Sequence, residues 1–240
     1  MIVTMIIETC PRCGSENIVK NGTDYKGSQK YHCHDCGAYG TLKAKRKYDA
    51  NSRAQILRAY MERASMRGIE RIFCVARQTL ARWIEQIARA LPKLTATLAR
   101  ALPNDVLELD ELWSFVYRKS NKRWIWIALC RRTRQVVAFA IGDRSEETCR
   151  RLWESIPLAY RSCHTYSDFW NAYQKVFDTN RHHSVGKETG QTAHVERWNN
   201  TLRQRLARFV RKTLSFSKSD QFHEWALSIF LHHYNLSVNV

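Results

Sequence analysis

The chain has 240 residues, enough for one catalytic core with one or two small modules and too few for several large domains. Its 39 lysines and arginines against 22 acids leave a net charge of +17, split as +10 over residues 1–103 and +7 over 104–240, so both halves are expected to meet a polyanion. The sequence lacks an uncharged stretch of about 18 residues that would span a membrane, and the apolar opening Met1–Ile7 lacks the basic start of a secretory signal; with eight cysteines and no such signal, a reducing cytoplasm is expected, where thiols hold metal more often than they cross-link.

The first element is a pair of knuckles. Cys10-Pro-Arg-Cys13 and Cys33-His-Asp-Cys36 each place two thiols two residues apart, and each is followed by a glycine, Gly14 or Gly37, that lets the chain turn tightly round an ion. Two such turns complete a tetrahedral site of four cysteines, the closed arrangement of structural zinc. Between them Ile18–Gly22 and Gln29–His32 read as short strands, so residues 1–46 are expected to form a zinc ribbon. His32 and His34 flank Cys33 as substitute ligands, although four cysteines already suffice. The basic run Lys43–Lys47 reads either as a connector along phosphates or as a solvated linker.

Residues 47–92 carry three helical patterns: Ser52–Met61, Met66–Phe73 with Ser65 as its N-cap, and Arg77–Leu91. In the last, Leu80, Trp83, Ile84, Ile87 and Leu91 form one apolar stripe, and Gln78, Arg82, Glu85 and Arg89 point away. Two short helices joined by Cys74-Val-Ala76 resemble a helix-turn-helix, with Arg77, Gln78 and Arg82 placed to reach base edges in double-stranded DNA. The competing reading is a plain three-helix bundle with a basic surface. Cys74 stands where a turn glycine is usual, and Ala76 where a hydroxyl cap is expected. Residues 93–104, bounded by Pro92 and Pro103, read as a linker.

From residue 105 the patterns run strand 106–117, strand 124–130, strand 135–141, helix 145–155, strand 164–167, helix 169–177, a short run 182–186, and helix 192–211. Three antiparallel strands followed by alternating helix and strand describe an α/β, ribonuclease H-like domain over 105–240. Its first and fourth strands would lie side by side, bringing Asp110 to Asp168, and Glu196 near the start of the last of these helices would close the group. Three such carboxylates can hold two Mg2+ or Mn2+ ions for attack on a phosphodiester. Glu108 shares the strand face of Asp110 and competes for its role, while Glu111 points to the other face. On the helix of Glu196, Asn200 and Arg203 share its stripe, Val195, Trp198, Leu202, Leu206 and Phe209 form the core stripe, and Thr192 is the expected N-cap, which puts His194 in the first turn. Six basic residues and no acid between Arg197 and Lys212 fit a helix lying along a phosphate backbone. A final pattern over 219–236 reads as a core helix, with a dimer contact as the alternative.

Cys10-Pro-Arg-Cys-Gly-Ser15, Asn21-Gly-Thr-Asp-Tyr25, Leu109-Asp-Glu-Leu-Trp-Ser114, Thr165-Tyr-Ser-Asp-Phe-Trp170 and Glu188–Asn200 together resemble the transposases of the bacterial insertion sequence one family, over almost the whole chain. The resemblance implies a DDE recombinase with Asp110, Asp168 and Glu196 as its triad and His194 and Arg203 as accessory residues. It also implies terminal inverted repeats as the bound DNA, 3′-end cleavage and joining to target DNA as the reaction, a homo-oligomer in the DNA complex and a nucleoid-associated location. A structure-specific nuclease and a zinc-containing DNA-binding regulator are the alternatives.

Overall fold

A computed structural model describes residues 8–42 and 48–238; Met1–Ile7 and Lys43–Lys47 lie outside the described residues. The chain divides into two compact units, residues 1–53 and 54–240.

In the first unit β1 (Ile18–Thr23), β2 (Gln29–Cys33) and β3 (Tyr39–Gly40) form an antiparallel sheet in that order. Asp24 closes the β1–β2 turn by accepting from Lys26 N and Ser28 N, each at 2.8 Å. Gly14 and Gly37 have φ of 75° and 68°, which L side chains rarely adopt, and each donates its N–H to the carbonyl of the first knuckle cysteine behind it. These turns fold each knuckle back on itself.

The second unit is a mixed α/β body. Strands β4 (Val106–Phe115), β5 (Lys122–Cys130), β6 (Val136–Gly142), β7 (His164–Ser167) and β8 (His182–Ser184) form one sheet in the order β6-β5-β4-β7-β8. The first three pair antiparallel, whereas β7 runs parallel to both β4 and β8. Strand alternation gives the sheet two apolar faces. Leu107, Leu109, Trp126 and Ala128 pack under α4 (Glu146–Ser155) and α5 (Asn171–Val176), with Cys149, Leu152 and Tyr173. In register, Ile125, Ile127 and Leu129 share the other face with Leu112, Asp110 and Glu108. Covering that face are α6 (Ala193–Arg205) and α7 (Asp220–Ser237), which bury Val195, Trp198, Leu202, Leu227 and Phe230. The last of these helices begins at Ser219, whose hydroxyl accepts from Phe222 N.

Helices α1 (Ala50–Tyr60), α2 (Met66–Phe73) and α3 (Arg77–Ala90) precede the sheet. Ser65 caps α2 through Gly68 N at 3.0 Å, and Cys74 takes the left-handed conformation at its end, φ 52°. Ala76 opens α3 without a side-chain cap. Buried Leu80 and Ile84 turn α3 inward, and α3 packs on α7, with Arg89 over the Trp225 ring.

Two expectations need correction. The segment 93–104 is not a free linker: Gln135 donates to Thr97 O at 2.8 Å and accepts from Ala99 N, Asn235 donates to Thr97 Oγ1, and Tyr160 donates to Ala99 O. Buried amides thereby satisfy its backbone, so the prolines mark turns in a pinned strap. The helix expected over 192–211 stops at Arg205, because Leu206 turns to extended backbone before a short 3-10 turn at Ala207–Phe209. Its apolar stripe stays buried through Leu206 and Phe209 all the same.

Candidate active site and metal centre

In the first unit the four knuckle thiols converge. All four sulfurs lie within 4.8 Å of one another, with Cys10 Sγ to Cys36 Sγ at 3.6 Å and Cys13 Sγ to Cys33 Sγ at 3.7 Å. A tetrahedron of thiolates around zinc at about 2.3 Å has edges of about 3.8 Å, so the donor set and its spacing suit that ion. Among the described residues this is the only group of three or more His, Cys, Asp or Glu ligands drawn so close, and it contains neither His32 nor His34.

The carboxylates of the second unit meet where β4, β7 and α6 approach. Register pairs Glu108 with Tyr166, and two further residues along each chain bring Asp110 beside Asp168, just past the end of β7. Neighbouring strands stand about 4.8 Å apart. Asp110, Asp168 and Glu196 all line one cleft of about 590 Å³, together with Lys187, Asn199, Asn200, Arg203 and Arg211. Burial, the neighbouring Glu111 and the charge of Asp168 push the Asp110 carboxyl up to about 7, against the N–H of Glu111 and the Asn199 amide, which hold it down. A buried carboxylate among other hard oxygen donors is suited to a divalent cation.

Each carboxylate is held from behind. Asn199 Nδ2 donates to Asp110 Oδ2 at 2.7 Å, while its own Oδ1 is buried without a partner. Asp168 accepts from Trp170 N at 3.0 Å, and Glu196 accepts from the Thr192 hydroxyl at 3.1 Å. On the opposite sheet face Glu111 accepts from Arg144 Nε at 2.6 Å and from the Tyr173 hydroxyl at 2.9 Å, and Arg144 is stacked on Trp170 and Trp124. Arg203 donates to Trp113 O and Phe209 O, which fixes its guanidinium in the cleft wall; burial and Arg211 push its pKa down to about 10, opposed by Asp110.

Glu108, the competitor of Asp110 by sequence, lies elsewhere. Fully buried, it accepts from Arg131 Nε at 2.8 Å, His194 Nδ1 at 2.6 Å, His194 N at 2.9 Å and Val195 N at 3.1 Å. It therefore does for α6 what was expected of Thr192: a carboxylate meets the first free N–H groups of the helix, where the dipole also favours negative charge. The Thr192 hydroxyl turns instead to Glu196, and His194 is drawn to Glu108, away from the carboxylate cleft. Residues that sequence reasoning missed are Asn199 and Lys187, whereas Arg211 belongs to the basic run expected along phosphates. Asn199 had a signal, its i+3 position from Glu196, where the sequence points to its exposed neighbour Asn200.

The other sequence candidates divide. Arg77, Gln78 and Arg82 are exposed on the first turns of α3, although Arg77 is paired with Glu70 at 2.9 Å. Of the six basic residues expected along phosphates, Arg203, Arg205 and Arg208 are spent within the protein: Arg205 pairs with Glu62, and Arg208 is buried against Tyr60 and Ser217. Of the three only Arg208 follows the break at Leu206, where it is buried in the 3-10 turn.

A family model described as IS1 transposase matches residues 105–236, and one described as the InsA N-terminal domain matches residues 4–37. The insertion element iso-IS1n protein InsB of Shigella dysenteriae is 37% identical over 126 residues, covering 52% of this chain and 93% of that protein. The IS1 protein InsB of Shigella flexneri is 38% identical over 124 residues, covering 52% and 92%. The IS1 1 protein InsB of Escherichia coli strain K12 is 34% identical over 156 residues, covering 62% and 91%.

Proposed function

The chain belongs to the IS1 transposase family, a DDE transposase with an N-terminal zinc ribbon, and from that premise we propose that it binds the terminal inverted repeats of its element, cleaves their 3′ ends and joins them to target DNA. The observation that carries the proposal is the meeting of Asp110, Asp168 and Glu196 in one cleft to which Lys187, Arg203 and Arg211 also contribute. We read the five-stranded sheet as ribonuclease H-like on its strand order, with β4 and β7 parallel at the centre, and α2–α3 as a helix-turn-helix on its left-handed turn and exposed Arg77, Gln78 and Arg82. The proposed parts are a ribbon over 1–46, a DNA-reading module over 47–92, a strap over 93–104 and a catalytic part over 105–240, acting as a homo-oligomer on DNA in the bacterial cytoplasm. Among the described residues no helix is long and apolar enough to cross a membrane.

The chemistry follows from what each side chain can do. Asp110, Asp168 and Glu196 are the carboxylates that would hold Mg2+ or Mn2+; when bound, such ions supply an activated water or hydroxyl and neutralise charge on the leaving oxygen. Asn199 fixes the rotamer of Asp110 so that one carboxylate oxygen stays turned to the cleft. Arg203, Arg211 and Lys187 bring positive charge to a phosphate lying over the acids. Glu108 and His194 act one step back, anchoring the start of α6 and hence the position of Glu196.

The test uses the full chain with Mg2+, paired end DNA and a target plasmid. Wild type is expected to cut and join, and Asp110→Ala, Asp168→Ala and Glu196→Ala to lose both steps while still binding the ends. Cutting without joining would make the protein a nuclease, and full activity in any of the three variants would remove that residue from the triad.

A further inference from the structure

On the far flank of α6 lies a second pocket. Its volume is about 340 Å³, and its walls include His194, Arg197, Trp198 and Thr201 from α6, Arg134 from the β5–β6 turn and Tyr234 from α7. The residues α6 gives to this pocket are offset by two positions from those it gives to the carboxylate cleft, Glu196, Asn199, Asn200 and Arg203. Two residues are about 200° of helical rotation, so the sites lie across the width of one helix, about 10 Å.

Three features mark the pocket as built for an anion. No carboxylate lines it. Among the described residues neither Arg134 nor Arg197 has an ion-pair or side-chain hydrogen-bond partner, whereas Arg131, Arg132 and Arg144 are each paired with a buried carboxylate. Arg134 sits at φ 60°, where glycine or asparagine is the ordinary choice, so the turn carries a long cation at some backbone cost.

We propose that this pocket is a second DNA subsite, taking one backbone phosphodiester of the strand whose neighbouring bond lies over Asp110, Asp168 and Glu196. The inference rests on the reading of the chain as a DNA-cutting transposase. Two guanidiniums match the charge and geometry of a phosphate. Such a contact carries no base information; it sets the register of the strand, so that the bond presented to the carboxylates is always the same number of nucleotides from the anchored phosphate.

The test measures binding of the full chain to fluorescent end DNA across a salt series, for wild type, for Arg134→Ala/Arg197→Ala and for Arg134→Lys/Arg197→Lys. Loss of one phosphate contact is expected to make the slope of log K against log salt shallower by about 0.9 in the alanine pair, and the lysine pair is expected to keep the wild-type slope. Both arginines are exposed, so melting temperatures should match wild type and certify the fold. A scan replacing single phosphates near the cleavage point by neutral methylphosphonates is expected to find one position that weakens wild type but not the alanine pair. An unchanged slope together with no such position overturns the subsite. Wild-type protein that fails to cut end DNA at all overturns the transposase reading instead, so the two failures are distinguishable.

Discussion

Replacing Glu108 separates a structural carboxylate from the proposed catalytic one two residues away. Its side chain is fully buried and accepts four hydrogen bonds, two from the first turn of α6, one from the His194 ring and one from Arg131. Alanine at this position leaves Arg131 without its counter-ion, which for a buried pair costs about 3–5 kcal/mol. The orphaned N–H groups would add about 1–3 kcal/mol each if water did not reach them, and His194 is exposed enough to admit it. A loss of about 4 kcal/mol is the expected total. For a unit of this size it lowers the melting temperature by roughly 8–16 °C. Glu108→Gln keeps the shape but turns an amide N–H2 toward donors, and is expected to lose about half as much. Thermal denaturation read by circular dichroism checks both, and DNA cleavage is then assayed well below each melting point. Partial cleavage by Glu108→Gln is expected where Asp110→Asn has none. A Glu108→Gln protein that melts like wild type and cuts nothing would show the reasoning to be wrong and make Glu108 a member of the reacting cluster.

Cys33→Ser should abolish zinc binding by metal analysis, and chelation should unfold the ribbon while leaving the circular dichroism of the α/β unit intact, since so small a sheet has no core of its own. Asn199→Ala deletes the donor that orients Asp110 and is expected to slow end cleavage about 10–100-fold with end binding unchanged; weakened binding of equal size would point to misfolding of α6. Arg82→Ala should cost about 1–3 kcal/mol on the element's own ends alone, and an equal loss on random DNA would identify a phosphate contact. His223 is fully buried; burial first, and the Arg208 charge next, push its pKa down to about 3. The unfolded chain takes up that proton near pH 6.5 and the folded one does not, so this residue's contribution to stability is complete above pH 6.5 and is lost by about 1.4 kcal/mol per pH unit as the pH falls toward 3. The pH dependence of melting between pH 7 and 5 should therefore flatten in His223→Gln relative to wild type, and identical slopes would refute the assignment.

Much of this protein was legible from local pattern. The knuckle spacing carries the zinc site, because two thiols two residues apart already share one turn, and the four sulfurs do converge. Apolar runs and turn residues placed β4 to β7 within a few residues of their bounds, since a strand buried on both sheet faces, as Val106–Phe115 is, carries apolar residues on each; β8 was legible only as a short run. Asp110 and Glu108, however, look alike in sequence: both are acids on one face of one strand. Their difference comes from what lies above them, the start of α6 over Glu108 and the side of α6 over Asp110, and that depends on a contact spanning more than 80 residues of chain. The same holds for Asn199 against Asn200, for the strap pinned by Gln135 and Asn235, and for Arg208, which is buried after Leu206. Hydrogen-bond partners remote in sequence leave no periodicity to read, so the sequence by itself determined which residue types and elements are present, and only the tertiary structure decided which carboxylate faces the cleft and which one holds the helix.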